Sequence, residues 1–80
     1  MKLLIADDDP TIRAYLKHVA ALWGYDIIEV CNGEAAWAEL TGEDPPRLAI
    51  LDWVMPAPNG VEICRRIQER DDGPFIYLIL

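Results

Sequence analysis

The chain lacks most of what would place it in a membrane or on nucleic acid. No apolar run approaches the roughly 20 residues needed to cross a bilayer. The apolar start Met1–Ile5 is too short for a signal peptide, and an acidic cluster follows at once. A cytoplasmic location is therefore expected. Basic residues are scarce: 7 Lys and Arg stand against 14 Asp and Glu, a formal net charge of -7. Gripping a phosphate backbone needs clustered cations, so nucleic acid is not expected as a direct partner. The two cysteines, Cys31 and Cys64, fall in no metal-ligand spacing and read as small buried hydrophobes. The single histidine, His18, reads as a helix-surface residue. Low-complexity tracts, internal repeats and linkers are absent, as are a Walker phosphate loop and a dinucleotide fingerprint. What remains is 80 residues, 52% of them hydrophobic: enough for one small folded domain, and against disorder.

Short apolar strands alternate with helices. Residues 2–6 read as a buried strand that ends in Asp7-Asp8-Asp9-Pro10. Asp9 is placed to cap a helix and Pro10 to occupy its first position. That helix carries Ile12, Leu16, Val19, Ala20 and Trp23 at helical spacing and ends at Gly24. A second strand is expected over 25–30, a turn or cap at Asn32-Gly33, and a short helix over 34–40 that packs through Ala36, Trp37 and Leu40. After a loop at 42–46, a third strand runs over 47–51. Asn59 and Glu62 have the spacing of a capping box. The helix they open, about 60–70, buries Ile63, Cys64 and Ile67 and turns Arg65, Arg66, Gln68, Glu69 and Arg70 to solvent. Residues 71–73 break it, and 74–80 read as a fourth strand. This order implies an α/β domain with a parallel sheet and right-handed crossovers.

Ligand sites in such sheets lie beyond the carboxyl ends of the strands. Asp7 and Asp8 close the first strand and Asp52 closes the third, so all three should converge. A buried carboxylate is costly without a partner. One Asp suffices as a cap, and adjacent carboxylates repel, so the cluster asks for a hard cation, with Mg2+ the usual answer where phosphate is handled. A carboxylate is also a competent nucleophile toward phosphorus, provided its charge and that of the phosphoryl group are neutralised.

The segments Leu3–Pro10, Gly24-Tyr25, Asn32–Ala36, Leu48–Pro56 and Asn59-Gly60, in this order and spacing, resemble the receiver domain of bacterial response regulators. The resemblance implies a flavodoxin-like sheet of order 2-1-3-4, with one helix on one face and two on the other. It implies phosphoryl transfer to Asp52 from a sensor histidine kinase or phosphotransfer protein. It implies Mg2+ held by Asp8 and Asp52, by Asp7 through water, and by the backbone carbonyl of Val54. Catalysis beyond self-phosphorylation and autodephosphorylation is not implied. Trp53, next to Asp52, is expected to be partly exposed over the site.

The family pattern continues past a fourth strand to a hydroxyl residue, a fifth-strand Lys and two further helices. Residues 1–80 therefore read as the N-terminal part of a single receiver domain, in which phosphorylation is expected to be slow or short-lived. Self-association is expected through the incomplete C-terminal edge or through apolar surface on the first helix. The competing reading is a truncated or engineered receiver core without signalling activity, kept as a folding or assembly unit. A metal-dependent aspartyl phosphatase is weaker, because a second Asp would be wanted where Val54 stands.

Overall fold

Four consecutive side chains of the first strand, Leu3, Leu4, Ile5 and Ala6, are buried. That is the mark of a strand covered on both faces. In the computed structural model, which describes residues 1–70 and the strand Tyr77–Ile79, this strand is β1 (Lys2–Ala6). Then come α1 (Pro10–Leu22), β2 (Asp26–Val30), α2 (Gly33–Leu40), β3 (Leu48–Leu51), α3 (Gly60–Gln68) and β4 (Tyr77–Ile79). The outer residues of the expected fourth strand, and the break at 71–73, lie outside the described residues.

The sheet is parallel with order β2-β1-β3-β4, as the resemblance implies. The chain steps from β1 to β2 in one direction, then back across β1 to β3 and β4. Crossovers of one hand then put α1 on one face and α2 and α3 on the other. The core divides accordingly. Leu4, Ala6, Ala49 and Leu51 meet Ala36 and Leu40 of α2 and Ile63 of α3 on one face. Leu3 and Ile5 meet Ala20 of α1 on the other, with Leu16, Tyr25, Ile27, Leu48 and Ile50 packed around them. Alternate residues of β1 thus supply both cores.

Local chemistry sets the helix starts. Asp9 caps α1, its carboxylate accepting from the Thr11 amide at 2.8 Å, with Pro10 in the first turn. Asn32 caps α2 through the Ala35 amide at 2.8 Å, and Asn59 caps α3 through the Glu62 amide at 2.9 Å. Only half of the expected capping box forms, because the Glu62 carboxylate turns forward to Arg65 (Nη2 to Oε1, 2.6 Å) and Arg66 (3.3 Å). Gly24 ends the first helical segment at φ +87°, a conformation that suits glycine. No described helix is long and apolar enough to cross a membrane.

Several burial expectations need correction. Ile12 is 49% exposed and Trp23 76% exposed. The apolar stripe of α1 is wider than the part that Leu3 and Ile5 cover, so its two ends stand clear of the described sheet. Cys31 is exposed, not buried, because it follows the last residue of β2 and has left the sheet; Cys64 is half-buried. Arg66 is not simply solvated: its guanidinium lies 5.5 Å from the ring centroid of Trp37, which itself packs on the core. His18 is exposed, as expected.

Candidate metal and phosphoacceptor site

The sheet reverses its direction of growth between β1 and β3, and in sheets of this kind the ligand crevice lies there, beyond the strand ends. Backbone hydrogen bonds carry the ladder into it. The Asp52 amide donates to the Ala6 carbonyl at 2.9 Å, and the Asp7 amide to the Val30 carbonyl at 3.2 Å. These bonds seat Asp52 and Asp7 just past their strands. One carboxylate oxygen from each of Asp7, Asp8 and Asp52 falls within 4.8 Å of the others. The expected convergence is therefore present.

The three carboxylates differ in setting. Asp7 is 7% exposed, the one buried charged residue among those described. Burial raises its carboxyl above the ordinary value, and the charges of Asp52, Asp8 and Asp9 push the same way; the hydrogen bond from the Asp9 amide, 2.9 Å to Oδ1, opposes them. Asp52 is half-buried and Asp8 exposed. An all-oxygen donor set at this spacing, with one member strained by its neighbours' charge, fits a small hard dication, which would relieve that repulsion.

The loop after β3 is tied back to the site. The Val54 amide donates to Oδ1 of Asp52 at 3.3 Å, and the Gly33 amide to the Pro56 carbonyl at 3.2 Å. The Gly60 amide donates to the Asp52 carbonyl at 3.0 Å. Trp53 and Val54 are 58% and 79% exposed beside Asp52, so the mouth of the crevice has an apolar rim.

One contributor, Arg13, escaped the sequence reading, and a second, Gly60, was read only as part of the family pattern, without its contact to Asp52. Arg13 of α1 donates from Nη1 to the Asp7 carbonyl at 2.7 Å. Its Nε lies 3.6 Å from Glu29 of β2, which also pairs with Lys17 at 3.0 Å. Gly60 makes the close approach to Asp52 just described. The available signals were a cation one helical turn after the Asp9 cap, and a glycine directly after a capping Asn. Neither becomes specific until the topology brings α1 over β2 and α3 under Asp52.

Comparison with known proteins points to one family. The family model for the response regulator receiver domain matches residues 3–79. Chemotaxis protein CheY1 of Helicobacter pylori is 36% identical over 76 residues, covering 94% of this chain and 60% of that protein. A CheY homologue of Campylobacter jejuni is 35% identical over 82 residues, covering 98% and 63%. Among solved structures, the signal receiver domain of a signal transduction histidine kinase from Syntrophus aciditrophicus superposes with a TM-score of 0.81 at 35% identity, covering 89% of this chain and 53% of that one. A chain in the crystal structure of histidine kinase ThkA in complex with response regulator protein TrrA gives 0.77 at 34% identity, covering 98% and 67%. The chain spans about three fifths of the length of the curated relatives it matches. With the strand order, the strand-end acidic cluster and a family match running through both, the chain belongs to the response regulator receiver domain family.

Proposed function

We propose that this chain is a phosphoacceptor of two-component signalling, taking a phosphoryl group on Asp52 from the phosphohistidine of a sensor kinase or phosphotransfer protein. The observation that carries the reading is the meeting of Asp7, Asp8 and Asp52 within 4.8 Å at the β1/β3 crevice. Asp8, Asp52 and the Val54 carbonyl would hold Mg2+, with Asp7 reaching it through water. Bound there, the ion neutralises the charge that would otherwise keep a carboxylate from a phosphoryl group. A carboxylate oxygen of Asp52 forms the new bond to phosphorus, the bond from phosphorus to the donor nitrogen breaks, and the imidazole leaves with a proton. Asp7, being buried and hydrogen-bonded to the Asp9 amide, keeps the pocket's shape. Kinases and relay proteins of this kind meet their receivers in the cytoplasm, where we place this chain.

Acetyl phosphate with Mg2+, followed by intact-mass and peptide mass spectrometry, tests the reading. One phosphoryl group on the Asp52 peptide is expected, absent without Mg2+ and absent in Asp52→Asn. Incorporation on another residue, or none in the folded wild-type chain, would overturn it.

A second reading concerns assembly. An apolar groove of about 270 Å3 lies between α1 and the sheet, lined by Leu16, Val19, Trp23, Tyr25, Leu48 and Ile50 among others. With Trp23 and Leu22 exposed beside it, this face supports self-association of the chain.

A further inference from the structure

Arg13 has no part in the chemistry proposed above, yet it is held at both ends. Its side chain is only 22% exposed. Nη1 donates to the Asp7 carbonyl at 2.7 Å, and Nε faces the Glu29 carboxylate at 3.6 Å. Glu29 is fixed in turn by Lys17 from the next turn of α1. The carbonyl that Arg13 grips belongs to the peptide plane joining Asp7 to Asp8. Planarity allows that unit to turn only as a whole, so fixing its oxygen fixes the start of Asp8 relative to Asp7. The Asp7 carboxylate is set separately by the Asp9 amide. The Arg13 bond is therefore the tether for the relative placement of the two acidic side chains.

We propose that Arg13 is a positioning residue for the cation site, acting through the Asp7–Asp8 peptide, with Glu29 as its anchor. The inference rests on the reading of Asp7, Asp8 and Asp52 as a Mg2+ site. Its consequence has a sign that electrostatics alone would reverse. Removing a cation from the neighbourhood of three carboxylates should tighten Mg2+ binding. Removing a positioning bond should loosen it, and losing a partner that orients metal ligands commonly costs roughly tenfold or more in affinity.

The experiment is calorimetric titration of the folded chain with Mg2+, in wild type, Arg13→Ala, Arg13→Met and Arg13→Lys, with circular dichroism to confirm folding. Arg13→Ala and Arg13→Met are expected to bind roughly tenfold more weakly. Arg13→Lys, which still offers one charged donor, is expected to recover most of the loss. Arg13→Met keeps the aliphatic stem and carries the test if Arg13→Ala does not fold. Equal or tighter binding in a folded Ala or Met variant would overturn the role of Arg13 while leaving the cation site intact. A wild-type chain that binds no Mg2+ would instead remove the site itself, and the two failures are distinct.

Discussion

Gly60 sits against Asp52 more closely than any side chain would permit. Its amide donates to the Asp52 carbonyl at 3.0 Å, and a Cβ at position 60 would lie 2.5 Å from that oxygen and 3.1 Å from its carbon. The start of α3 is thereby pinned to the residue that we propose accepts phosphate. Both partners of the contact are backbone, so neither can swing aside. Gly60→Ala must push α3 away or turn the Asp52 peptide. A loss of about 2 kcal/mol in urea unfolding is expected, with slower phosphoryl uptake from acetyl phosphate. Gly42→Ala is the control, since its Cβ would meet Ala38 at 3.4 Å, an ordinary contact. Equal stability of the two variants would mean that the 52–60 contact yields easily.

Asp7 supplies a pH dependence. Its carboxyl is raised, by burial first and then by the charges of Asp52, Asp8 and Asp9. A raised acid binds its proton more tightly in the folded than in the unfolded state. Folding stability is therefore favoured at low pH by this group and falls as pH climbs from the ordinary carboxylate range through the raised value. Above that raised value, without metal, the cost is fully present. Asp7→Asn keeps an oxygen to accept the Asp9 amide and removes the charge. It is expected to be more stable than wild type at neutral pH by roughly 1 kcal/mol. That advantage should vanish on acidification, and Mg2+ should stabilise the variant less than it stabilises wild type. Thermal melts across pH, with and without Mg2+, measure all three effects. An Asp7→Asn advantage that persists in acid would show that charge is not its cause.

What was legible in the sequence is what is local or dictated by topology. The caps at Asp9 and Asn59 depend on three or four adjacent residues: Asp9 caps α1 as read, and Asn59 caps α3 although Glu62 does not close the box. The convergence of Asp7, Asp8 and Asp52 needed only parallel strands and the rule that places ligands at their carboxyl ends. Trp23 and Cys31 were misread because hydrophobicity reports a tendency to be covered, not whether anything lies above the residue. Arg66 was misread because a helical cation opposite an aromatic ring on another helix has no sequence spacing. Arg13 escaped for the same reason: its partners, the Asp7 carbonyl just past β1 and Glu29 on β2, are brought to it only by the topology.

The central strand sets the stability of the whole. Leu4 is fully buried at the middle of β1 and packs in the core shared by α2 and α3. Leu4→Ala leaves a cavity that rigid neighbours on both strands and helices cannot fill, at a cost of about 3 kcal/mol. Small domains have only about 5–10 kcal/mol in total, so a large part of the molecule's stability should go. Leu22→Ala, at a residue 72% exposed on α1, should change stability by less than about 0.5 kcal/mol. Comparing urea midpoints of the two variants checks this. A mild Leu4→Ala would mean that α2 and α3 can close onto the sheet and fill the space.

Trp23 tests self-association through the α1 face. Its ring borders the apolar groove and is 76% exposed. Covering roughly 100 Å2 of it would be worth about 2.5 kcal/mol at about 25 cal/mol per Å2, before the costs of association. Sedimentation of the wild-type chain should show a mean mass that rises with concentration. Trp23→Lys should move that rise to concentrations tenfold or more higher. The direction is diagnostic, because the chain carries a net charge of -7 and an added Lys weakens the mutual repulsion of two copies. If charge governed assembly, Trp23→Lys would associate more readily than wild type; if the apolar face governs it, less. Added salt separates the terms further, since screening strengthens association of wild type but should not restore it in Trp23→Lys. A wild-type chain that stays monomeric throughout, or a Trp23→Lys curve that overlays it, would remove this face from the interface.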